Sequence, residues 1–61
     1  MLSGELELAR TLFTEARDLF QTVGDAWQAA LAEFNIASVE FFARDYDAAR
    51  RYMDAALPVI R

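Results

Sequence analysis

Glu33 and Glu40 stand seven residues apart, a spacing that sets two carboxylates on one face of a helix. Carboxylates placed this way can hold a metal or divide acid and base roles, as in di-iron helix bundles, but those sites also draw on Glu-x-x-His partners. The 61 residues contain no His and no Cys, so the convergent ligands such a site needs are missing. Ser3 and Ser38 likewise have no His or Lys to activate them, and Thr11, Thr14 and Thr22 read as helix-surface residues. Gly4 and Gly24 are isolated, which gives no glycine loop for a phosphate. The expectation is a protein without enzymatic activity, metal or cofactor.

The elements that carry these residues are legible from apolar spacing. Leu2, Leu6, Ala9, Phe13, Ala16, Phe20 and Val23 recur at steps of four and three, the stripe of an amphipathic helix over about 4–23. Ser3 is its expected N-cap, Glu5 and Glu7 favour its positive end, and Gly24 is its natural stop. Asp25 caps a second helix over 26–43, with Gln28 completing a capping box. After Arg44, Asp45 caps a third, over about 46–57, carrying Tyr46, Ala49, Met53, Ala56 and Ile60; Pro58 should end or kink it. The fold class expected is all-α, one module of three antiparallel helices over residues 1–61. Antiparallel pairing about Gly24-Asp25 brings Arg17 toward Glu33 and Arg10 toward Glu40, as rim ion pairs worth about 0–1 kcal/mol each.

The middle helix is patterned on two sides. At about 100° per residue, Trp27, Ala30, Phe34, Ala37 and Phe41 share one face and Ala29, Ala32, Ile36, Val39 and Ala43 another. Glu33 and Glu40 separate the faces along one edge, while Gln28, Asn35 and Ser38, with Leu31 and Phe42 among them, occupy the other. Such a helix is expected between two neighbours, with Trp27, Phe34, Phe41, Tyr46 and Tyr52 as core aromatics and Met53 filling a gap. Phe42 is the exception, an aromatic on the polar edge. The outer helices each carry a second stripe, Leu8, Leu12 and Leu19 in the first and Ala48, Tyr52, Ala55 and Val59 in the third. Stripes of this kind mark interaction surfaces.

Composition points the same way. A chain this short buries only about 60% of its unfolded surface and draws stability from disulfides, metals or association. With 56% hydrophobic residues, and neither Cys nor His, association is the route left open. All six basic residues are Arg, and the net charge of −4 offers no basic track for nucleic acid. The N-terminal residues are acidic where a secretory leader is basic, and no apolar run reaches the roughly 18 residues of a membrane span. A cytoplasmic protein that binds neither membrane nor nucleic acid is expected.

Ala9, Phe13 and Ala16 correspond to Ala49, Met53 and Ala56 forty residues later, a period in the range of helical solenoids. Asn35-Ile36-Ala37, then Asp45-Tyr46-Asp47-Ala48-Ala49, then Ala56-Leu57 resembles a tetratricopeptide repeat over about residues 30–57, with residues 4–23 similar to the second helix of a preceding repeat. Arg44 and Ala37 stand where the family prefers Gly, Glu40 where an aromatic is common, and Pro58 comes a few residues early. The resemblance implies a scaffold that binds a protein or peptide, with Leu31, Asn35, Ser38 and Phe42 at groove-facing positions. The leading expectation is a homo-oligomer joined through Leu8, Leu12, Leu19, Tyr52 and Val59. Two others stand beside it: part of a larger regulator that senses a partner, and a small-molecule site lined by Trp27, Phe34 and Phe41.

Overall fold

The computed structural model describes residues 2–60, with side chains from residue 4 onward. It is all-α: α1 spans Leu2–Thr22, α2 Ala26–Phe42 and α3 Tyr46–Ile60. The first helix begins ahead of Ser3, so Ser3 lies inside its first turn rather than capping it, and the Ser3 side chain falls outside the described residues. At the other end, α3 runs through Pro58 instead of stopping at 57. Proline's fixed φ fits a helix, and what it removes is one hydrogen bond in the final turns, where the carbonyl it leaves belongs to exposed Asp54.

The two corners are built alike, twenty residues apart. In the first, Gly24 N–H donates to the Gln21 carbonyl at 3.1 Å and Asp25 N–H to the Phe20 carbonyl at 2.8 Å, the paired bonds of a Schellman stop. In the second, Arg44 N–H donates to Phe41 at 3.0 Å and Asp45 N–H to Glu40 at 2.9 Å. Each stop needs one residue in the left-handed region, and Gly24 (φ 79°) and Arg44 (φ 66°) supply it. Each aspartate then caps the next helix, Asp25 Oδ1 accepting from Gln28 N–H at 3.1 Å and Asp45 Oδ1 from Ala48 N–H at 3.2 Å. One residue in αL followed by one Asx cap therefore reverses the chain twice.

Both outer helices pack on α2, and among the described residues the backbones of α1 and α3 make no close approach to one another. Arg10 meets Glu40 while Arg17 approaches Glu33, so α1 and α2 run in opposite directions. The buried core belongs mostly to α2, through Ala29, Ala30, Ala32, Ile36, Ala37 and Val39, joined by Ala48 and Ala56 of α3. Alanines let the helix axes approach closely but each buries little apolar area. Phe13, Ala16 and Phe20 of α1 are only half-buried, because that helix has a neighbour on one side alone. The accessible surface, 4348 Å², is about a tenth above the roughly 4,000 Å² expected of a compact monomer of this mass.

Burial of α2 does not follow the two opposite faces expected of it. Its buried residues form one continuous arc of about half the circumference, running from Ala32 and Val39 through Ile36, Ala29 and Glu40 to Ala37 and Ala30. The Glu33–Glu40 edge thus lies within the contact, and α1 and α3 sit against the same half of α2. The other half is bare.

Candidate functional site

Glu40 is the one buried charged residue among those described, only 6% exposed, and is not a rim residue. Arg10 reaches it with two bonds, Nε to Oε2 at 2.7 Å and Nη2 to Oε1 at 2.9 Å, while its remaining arm meets Glu7 at 2.8 Å. The bond to Glu40, then that to Glu7, holds the Arg10 guanidinium above its ordinary pKa. Bidentate pairing satisfies the carboxylate on both oxygens, which is what allows it to be enclosed. Arg17 is split between Asp18 at 3.0 Å and Glu33 at 3.9 Å, a looser contact nearer the expected rim pair. Both arginines of α1 are thereby turned toward α2. No cluster of three or more potential metal-binding side chains forms among the described residues, and no helix there is long and apolar enough to cross a membrane.

The stripe read on α1 is open, since Leu8, Leu12 and Leu19 are exposed and Val23 extends them. On α3, Val59 is exposed, but Tyr52 is half-buried and Ala48 buried. The outward stripe expected there is corrected in its first half: Ala48 is buried and Tyr52 half-buried, while Ala55 and Val59 are exposed beside the charged residues Asp47, Arg50, Arg51 and Asp54, with Arg50 3.8 Å from Asp54.

The four residues to which the resemblance gives a groove-facing role share the bare half of α2, with Leu31, Asn35 and Phe42 exposed and Ser38 half-buried. The Ser38 hydroxyl donates to the Phe34 carbonyl at 3.3 Å, which occupies its hydrogen. Phe42 is 73% exposed, and aromatics assigned to the core join it: Trp27 is 51% exposed, Phe34 39% and Phe41 59%, with Tyr46 at the start of α3 56%. That assignment is overturned for Trp27, Phe34, Phe41 and Tyr46. The alanines of the same stripe, Ala30 and Ala37, make the helix contact and hold the longer side chains at its margin.

Phe41 organises the end of this face. Its ring lies edge-on to Phe42 at 6.3 Å and to Tyr46 at 5.4 Å, so three aromatics meet beside the second corner. A groove of about 320 Å³ opens next to them between α2 and α3, lined by Ala37, Ser38, Phe41, Phe42, Ala49 and Met53. Sequence reading missed the groove and the part played by Tyr46 and Met53 in this region. The available signal was Phe41-Phe42 followed four residues later by Tyr46 across a tight corner, a spacing that brings the rings together only once the reversal is known.

Compared with protein families, with curated proteins and with solved structures, the chain matches none.

Proposed function

We propose that this chain is a protein-interaction module of tetratricopeptide-like type that works by covering its open apolar faces, first of all with further copies of itself. The observation that carries this reading is the bare half of α2, the most centrally packed helix, whose exposed side carries four large aromatics and Leu31. Apolar patches of this extent on a short chain are sites of association. The two faces available are the leucine stripe of α1 and the aromatic side of α2. No catalytic role is part of the proposal, and the compartment that fits it is the cytoplasm.

A second reading rests on the α1 stripe. Leu8, Leu12 and Leu19, spaced four and seven, suit an adjoining helix of the same repeat kind, as in a larger regulator that senses a protein or peptide along Leu31, Asn35, Ser38 and Phe42.

Association and folding are coupled in the first reading, so the thermal midpoint of the isolated chain rises with protein concentration. Circular dichroism melts across a hundredfold range of concentration check this. A cooperative melt with a fixed midpoint contradicts self-association.

A further inference from the structure

We infer that two copies pair through the bare half of α2, antiparallel about a two-fold axis beside Phe34 and Asn35, with Trp27 of each copy seated in the α2–α3 groove of the other. This rests on the self-association reading and assigns it one surface. The other surfaces suit a second copy less well. On α1, exposed Glu5 and Glu15 fall within the leucine stripe, neither makes an ion pair among the described residues, and both α1 arginines are turned toward α2. A two-fold contact there sets carboxylates against carboxylates, a costly juxtaposition. The outer side of α3 sets Asp47, Arg50, Arg51 and Asp54 around its exposed apolar residues Ala55, Pro58 and Val59, which leaves no continuous apolar face.

The bare half of α2 carries no charge at all, from Trp27 and Gln28 through Leu31, Phe34, Asn35 and Ser38 to Phe41 and Phe42. A surface without charge can face its own copy without repulsion, and self-complementarity is what an isologous interface requires. The area is of the right order. Aromatic side chains present about 150–250 Å² each, so at their observed exposures Trp27, Phe34, Phe41, Phe42 and Tyr46 leave roughly 400–700 Å² uncovered. That approaches the ~800 Å² each partner gives to a standard interface, and Leu31 with the polar margin adds to it.

The register follows from the helix. Trp27 and Phe42 stand at opposite ends of α2, about 22 Å apart along its axis, with Phe34 and Asn35 midway. An antiparallel two-fold through that midpoint lays Trp27 over Phe42 of the other copy, and keeps the α3 flanks of both copies on the same side. The groove opens on that flank, floored by Ala37 and Ala49 and walled by Phe41, Phe42 and Met53. Its volume, about 320 Å³, has room for one inserted aromatic side chain.

Trp27 is the chain's one tryptophan, so its fluorescence reports its own burial. The test measures sedimentation equilibrium and Trp27 emission over a concentration series for the full chain, for Phe42→Glu, for Phe42→Ser and for Leu12→Glu/Leu19→Glu. The expected result is a mass that doubles with concentration together with a blue shift of Trp27. Both Phe42 variants keep their helical circular dichroism, because that ring is largely exposed in the single chain, yet dissociate at least about thirtyfold more readily, the effect of losing one hot-spot aromatic. The leucine variant still pairs. If the Phe42 variants pair as the parent does and the leucine variant does not, self-association stands and this surface is wrong. A mass that stays single at every concentration overturns both.

Discussion

Arg10 shows how one residue decides what a helix contact can enclose. Glu40 lies within the contact arc of α2, and it is buried there because Arg10 binds both of its oxygens. Arg10→Met should destabilise the chain by about 1–3 kcal/mol, since it leaves an enclosed carboxylate without its donors. Arg10→Met combined with Glu40→Leu should recover most of that loss, an apolar pair of similar volume avoiding desolvation. Urea unfolding of the two single variants and the double, followed by circular dichroism, checks both; equal destabilisation of Arg10→Met and the double variant contradicts the account. Partner identity in this pair was legible from antiparallel register alone. Its burial was not, because helical projection gives the direction of a side chain but not how far two neighbours close over it.

At the scale of the element, the helices and their corners follow closely from local chemistry. Gly24-Asp25 and Arg44-Asp45 make the same stop and cap, and the sequence signal is strong because αL and Asx requirements are set within four residues. Arg44 meets the requirement at a steric cost that glycine avoids. Arg44→Gly is therefore expected to raise stability by about 1 kcal/mol at unchanged helix content, read as a higher urea midpoint; a lower midpoint would mean that the Arg44 side chain makes a contribution outweighing its backbone strain. Less legible was how α2 is covered. Its apolar residues fall on two faces, which suggests neighbours on opposite sides, whereas the small residues of both faces and the Glu33–Glu40 edge form one contact arc. Size separates them: Ala30 and Ala37 go in, while Trp27, Phe34 and Phe41 at neighbouring angles cannot and stay at the margin. The same rule acts on α3, where Ala56 of the expected stripe is buried together with Ala48 from the second one, while Met53 is half-buried and Tyr46 stays exposed.

For the whole molecule, the consequence is a chain that folds its small side chains inward and leaves its large ones outside. Ile36 is the largest fully buried side chain, while Trp27, Phe41, Phe42, Tyr46, Leu8, Leu12 and Leu19 all remain exposed. Burial of apolar area is the main favourable term in folding, and an alanine-rich contact between three helices supplies little of it. Association therefore completes the core in this account. The most direct measurement is the solution mass of the purified chain by light scattering across a concentration series. The account predicts a mass of two chains at high concentration, falling toward one chain, with a lower thermal midpoint, as the sample is diluted. A single-chain mass at every concentration, with full helicity and a cooperative melt, would contradict it.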